Sequence, residues 1–375
     1  MIRVRLPRAL LPLVVVAAAC SDGGEPPGSA PDRQTKADTL VYGPTVALLA
    51  SEPGGTRTEL ILQPAGASAV ARPAAVLEHV PGGEVRGRTL PGASAVVAVA
   101  DMEPRSEPSW GAWLMRLEPG KSPIKLVDRV YHATRPLVLE DGRVFVARGR
   151  AGEEPAPADA RAGKLRVDAL EIDEVEPRTG ATRTVYTWNG YITFLAGALG
   201  RELIVYRVGF AHADLVAVDT ESGAERVIAA QIPAFARDFS VDSAARALVY
   251  ANRDPASGAW VAERRDLVSG AVVRLSVSKQ MSLVPHAWPG GGVVANQDGA
   301  RGLSKLMGAG AAISAPFGAG VDSVRALDRD GRWAALVHEL PGRLPVPFVL
   351  SPETGQALPL AFPAGKRVDV AGFVP

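Results

Sequence analysis

Seven long polar side chains recur at comparable places along this chain: Arg86, His132, Arg135, Tyr191, Arg237, His286 and Arg325. If folding gathers them around a narrow opening, their arginines would attract an anion, a carboxylate or a phosphate. The other reading is a channel filled with water and polar side chains. Asp238, Asp322 and Asp369 lie close enough in sequence to neutralise part of that charge. A second group, Trp110, Phe210 and His212, falls on segments with a loop's composition, where exposed aromatics can serve as partner contacts. Tolerated insertion with no partner is the alternative. The five histidines, His79, His132, His212, His286 and His338, show no HExxH or other paired spacing. They read as structural, and no metal or cofactor is expected. Convergence of His132, His212 and His286 in one pocket would instead indicate an enzyme. There is no GxSxG elbow for a serine hydrolase.

These residues must be positioned by strands. One phrase recurs, an apolar segment, a glycine turn and another apolar segment. It appears as VEPRTGATRTV from Val175, VDTESGAERVI from Val218, RDLVSGAVVRL from Arg265 and LSPETGQALPL from Leu350. An acidic or small polar residue opens the turn, and glycine takes the φ > 0 position. The turn glycines Gly180, Gly223, Gly270 and Gly355 fall at multiples of about 45 residues, with a degenerate copy near Gly310. A second phrase, a turn then an apolar strand, precedes each hairpin, as in LGRELIVYRV from Leu199 and RDGRWAALVH from Arg329. Seven copies are legible, and no amphipathic helical period appears. LEIDEVEP, from Leu170, alternates acidic and apolar residues as a solvated strand face would. ALDRDGRW, from Ala326, reads as a plain turn between two strands.

Four strands in a repeat of about 40–45 residues make the unit of a β-propeller. RALDRDGRWAALVHE from Arg325, DFSVDSAARALVYA from Asp238 and VPHAWPGGGVVA from Val284 resemble the repeats of the TolB and WD40-like superfamily. The resemblance implies an all-β, seven-bladed propeller over residues 39–375. In such propellers the innermost strand, a, lines the channel, and the b–c and d–a connections share one face. The longest b–c connections are Arg150–Lys164 and Asp101–Gly111. The first copy, from Tyr42, lacks a strand a, and the tail VDVAGFVP, from Val368, is left over. Pairing of the two would close the ring and remove free edges.

At the front, MIRVRLPRALLPLVVVAAAC has a basic head (Arg3, Arg5, Arg8), a short apolar run and small residues before Cys20, the chain's single cysteine. The stretch resembles the lipobox of bacterial lipoproteins, with Ala17 where that family usually has leucine. The resemblance implies a signal peptide over residues 1–19 and acylation of Cys20, palmitate included. An ordinary signal with an incidental cysteine is the other reading. Ser21–Asp38, rich in Gly, Pro and charge, reads as a tether over residues 20–38. By the enteric sorting rule, Ser21 after the cysteine favours the outer membrane. Without the three leading arginines, basic side chains fall from 41 to 38, against 40 acidic ones. That near-neutrality argues against a nucleic-acid partner. The expectation is a lipid-anchored envelope protein whose propeller is a non-catalytic binding or scaffolding platform, with an envelope protein or an anionic small molecule as partner. The rival is a carbohydrate lyase or hydrolase with its site at the channel mouth.

Overall fold

Each recurring glycine turn folds as the end of an antiparallel hairpin, and the hairpins assemble into blades. The structure, a computed structural model, describes residues 43–375 except 104–110, 132–133, 150–167, 191, 210–211, 234, 280–282, 297–301 and 309–319. Contacts separate Met1–Val41 from Tyr42–Pro375, and the first of these units lies outside the described residues.

The strands fall into seven consecutive groups. The first holds β1 (Thr45–Ser51), β2 (Arg57–Pro64) and β3 (Pro73–Glu78). The second holds β4 (Val85–Thr89), β5 (Val96–Asp101), β6 (Ala112–Leu117) and β7 (Ile124–Val130). In the third are β8 (Leu137–Val138), β9 (Val144–Gly149), β10 (Asp168–Val175) and β11 (Thr182–Gly190). The fourth comprises β12 (Ile192–Leu199), β13 (Glu202–Val208), β14 (Ala213–Asp219) and β15 (Glu225–Ile232). The fifth comprises β16 (Arg237–Asp242), β17 (Ala247–Arg253), β18 (Trp260–Asp266) and β19 (Val272–Ser278). β20 (His286–Trp288), β21 (Gly292–Ala295) and β22 (Ser304–Met307) form the sixth. β23 (Val321–Leu327), β24 (Ala334–Glu339), β25 (Val346–Leu350) and β26 (Ala357–Pro359) form the seventh, and β27 (Arg367–Val374) follows. No helix occurs among the described residues. The degenerate copy near Gly310 lies outside them, so the sixth blade shows three strands. Blades 2 and 3 touch through one extra strand pair, Val130 with Arg148.

The tail closes the ring. β27 runs antiparallel to β1 from Thr45 opposite Val374 to Ser51 opposite Arg367, with Val370 opposite Leu48. It is the innermost strand of blade 1.

Apolar clusters fill every one of the seven blade interfaces. Inner strands bury both faces, one against each neighbour. On β13, Leu203 and Val205 pack toward blade 3, and Ile204 and Tyr206 toward blade 5. Such a strand reads as a continuous apolar run rather than an alternating one. The same geometry corrects the reading of β10: Asp173 is not on a solvated face. It is 1% exposed and accepts from Arg148 Nη1 at 2.6 Å. A strand packed on both sides must pair whatever charge alternation delivers inward.

The turn glycines have a second duty. Gly180, Gly223 and Gly270 have φ near +70° to +75°. A Cβ on each would lie 2.5–2.7 Å from a carbonyl oxygen of the preceding blade, of Leu126, Val185 and Ile228 respectively. Gly355 shares the dihedral but has nothing within 4 Å among the described residues.

Two outcomes test this architecture. Gly355→Ala should cost about 1–2 kcal/mol, the ordinary penalty of a left-handed alanine. Gly270→Ala should cost clearly more in urea melts, and equal losses would overturn the packing account. Deleting residues 367–375 should unfold or oligomerise the protein; a monomer with an unchanged melting temperature would refute closure by β27.

Candidate functional site

Four of the innermost strands carry a β-bulge. The register skips at Ala196 in β12, across Asp238 and Phe239 in β16, at Arg325 in β23 and at Ala371 in β27. A bulge inserts an unpaired residue and re-aims its side chain. Asp238, Phe239 and Arg325, all unpaired in their ladders, line the cavity at the channel. Asp238 has φ +57°, a left-handed conformation that Asp tolerates better than most residues.

The cavity has a volume of about 520 Å³. It is bounded by the β1–β2 turn at Glu52–Gly54 and by the connection into β4 at Gly82–Glu84, so it opens on the face of the b–c and d–a connections. Five arginines (Arg86, Arg88, Arg135, Arg325, Arg367) and five carboxylates (Glu52, Glu84, Asp238, Glu339, Asp369) line it. Their pairing decides its chemistry. Arg135 grips both carboxylate oxygens of Asp369, with Nη1 to Oδ2 at 2.6 Å, and also donates to the Gly87 carbonyl at 3.2 Å. One guanidinium thus ties β27 to β4. Arg86 pairs with Glu84, and Arg325 with Glu339 at 2.9 Å. Arg237 pairs with Asp238 and lies 4.3 Å over the Trp260 ring.

Arg88 is the exception. Half-buried and facing the cavity, it donates to the carbonyl of Arg325 at 2.5 Å and has no carboxylate partner among the described residues. Burial lowers its pKa to about 10, and Arg135 and Arg325 push the same way against the pull of Asp369. It remains a cation at neutral pH. Burial pushes Asp369 up, but Arg135, Arg325 and Arg88 together hold it below the usual carboxylate range. The Nε of Arg325 is buried with no partner among the described residues.

Of the residues singled out in sequence, Arg86, Arg135 and Arg325 line the cavity, and Arg237 stands beside it on Asp238. His286 is outside the lining, but the charges of Arg88 and Arg325 reach it. Its Nδ1 donates to the Ala287 carbonyl at 2.7 Å and lies 3.3 Å from Ser240 Oγ. Burial, then Arg88 and Arg325, lower its pKa to about 4, so the ring is neutral. His212 is exposed, 3.8 Å from Asp214, and away from the cavity lining. Asp322 does not neutralise the arginines as expected. It is buried against His338, Oδ1 to Nδ1 at 2.7 Å. Cys20, Trp110, His132, Tyr191, Phe210 and the connection Arg150–Lys164 lie outside the described residues. Arg88 was missed in sequence. Its signal was the alternation Arg86-Gly87-Arg88, which puts both arginines on one side of β4.

No family model and no curated protein matches the sequence. Solved structures match it in fold. TolB from Acinetobacter baumannii superposes with a TM-score of 0.50 at 10% identity, over 88% of this chain and 67% of that one. One structure, from work on two prolyl endopeptidases, gives 0.51 at 15%, over 88% of this chain and 51% of that one. An oligogalacturonate lyase in complex with manganese gives 0.44 at 10%, over 85% and 98%. The chain spans about two thirds of the TolB and about half of the endopeptidase. At these identities the likeness is one of fold, a TolB-like β-propeller.

The His286 ring binds its proton more weakly in the folded chain, at about 4 against 6.5 unfolded. The unfolded state therefore takes up that proton first. Its contribution is complete above about pH 6.5 and declines as pH falls toward 4. His286→Gln should flatten that part of the stability curve, read as urea midpoints at pH 7 and pH 5; parallel curves for the two proteins would contradict the assignment.

Proposed function

We propose that this chain is a non-catalytic binding platform of the bacterial envelope, held to a membrane by acyl chains on Cys20, with residues 21–38 as a tether and a small anion as the ligand of its channel mouth. The observation that carries the anion reading is Arg88. A guanidinium drawn partly out of water is costly when, among the described residues, no carboxylate touches it and it only shares the charge of Asp369, and a bound carboxylate or phosphate supplies the contact that the other arginines already have. The bidentate fork of arginine suits either anion. Arg325, whose Nη2 is held by Glu339, adds a second guanidinium to the same wall. The anchor rests on the basic head, the short apolar run and the three alanines before Cys20. An outer-membrane address rests on Ser21. Contacts with an envelope protein would fall to the b–c connections on the same face, Arg150–Lys164 above all.

Two measurements test the reading. Isothermal titration of the purified protein with simple carboxylates and inorganic phosphate should show binding that weakens with salt and falls at least about tenfold in Arg88→Met. No binding, or equal binding by the variant, would refute the channel site. Cys20→Ala should abolish palmitate labelling and move the protein out of the membrane fraction; unchanged labelling would refute the anchor.

A further inference from the structure

The cavity has two unlike walls. Blades 7, 1 and 2 contribute Arg325, Asp369 and Arg88, with the pairs described above. Blades 3, 4 and 5 stand opposite in the ring order and contribute Leu137, Phe194, Leu195 and Phe239. Apart from Asp238, which Arg237 neutralises, the lining from the strands of those blades is apolar. Phe194 and Phe239 are only half-buried, and both face the cavity. Their rings are held from behind. Tyr206 stacks on Phe194 at 6.1 Å and tilts against Phe239 at 5.1 Å, and Tyr131 meets Phe194 edge-on at 6.0 Å. Tyr206 is itself fixed, since its hydroxyl donates to the Pro233 carbonyl at 3.0 Å and accepts from the Ala236 amide at 3.2 Å. The aromatic wall is therefore built in advance, as the arginine wall is.

An inorganic anion would use one wall and leave the other wet. From this segregation we infer that the ligand is an amphiphilic organic acid, one carboxylate on an apolar or aromatic body. The carboxylate meets Arg88 and the body lies along Phe194 and Phe239. One carboxylate suffices for this contact, because among the described residues Arg88 is the arginine of the cluster that no carboxylate touches. A cavity of about 520 Å³ is in the range of small-molecule sites. The inference rests on the anion reading of the same cavity and adds the nature of the body.

Three probes titrated into the full-length protein separate the two ideas: propionate, 3-phenylpropionate and 3-phenylpropionamide. The aromatic acid should bind at least about tenfold tighter than propionate, because its ring leaves water for the Phe194 wall, and at least about tenfold tighter than the amide. Arg88→Met should erase the preference of acid over amide, with its melting curve confirming the fold. Propionate binding as tightly as 3-phenylpropionate, both tighter than the amide, would leave the anion site standing and overturn the amphiphile. Amide binding as tightly as the acid would remove the anion site, and with it this inference. Failure of all three to bind would overturn both. The wild-type ratios alone decide among these outcomes, so none depends on a variant's folding.

Discussion

The antiparallel pairing of β27 with β1 is the contact on which the rest of the ring depends. Each blade buries both faces of its inner strands, so no blade is complete without two neighbours. At the junction of blades 7 and 1, Val46, Leu48 and Ala50 of β1 and Val368 and Val370 of β27 share one cluster with Val337 of β24 and Val349 of β25. On the other side Ala371 and Val374 of β27 join Val96 and Ala98 of β5. Without β27, both clusters lose a wall and β1 gains an unpaired edge. The bulge at Ala371 shifts the alternation by one residue, so that Phe373 packs on the side of Val370 and Val374 on the side of Ala371.

The polar cluster at the channel follows from that closure. Asp369, on the closing strand, is the carboxylate on which Arg135, Arg325 and Arg88 all act. Arg135 holds it in a bidentate pair and at the same time caps the carbonyl of Gly87. The electrostatics of the cavity are therefore mostly structural. Most of its arginines are committed to carboxylates, Arg135 and Arg367 across blades and Arg86 and Arg325 within one, and among the described residues Arg88 is the one left for chemistry. A count of arginines overstates the attraction for an anion; the pairing list gives it.

Much of the fold was legible before any coordinates, and the reason is physical. Strands buried on both sides leave apolar runs such as ELIVYRV, and a turn that needs φ > 0 beside a neighbour's carbonyl admits little but glycine. These two constraints repeat with the blade, so they show as a period. The leftover tail and the missing first strand matched each other for the same reason. The site was less legible because it depends on pairing across blades. Arg86, Arg135 and Arg325 were found by their place in the repeat, while Arg88, two residues from one of them, was passed over. Asp322 and Asp173 were misplaced because sequence distance does not say which side of a strand faces the channel, a neighbour or water. His338 and Arg148 took them instead. Bulges, which decide that question in β16 and β23, leave no mark in composition.

The ring's clasp and its cavity are the same few side chains. An occupant resting between β27 and the opposite wall would therefore act as a bolt. Its departure would leave the clasp held by peptide ladder, apolar contact and the Arg135–Asp369 pair, and every opening of the clasp would dismantle the chamber. Occupancy and resistance to unravelling, or to a protease waiting for a loose end, are thereby one equilibrium viewed from two sides.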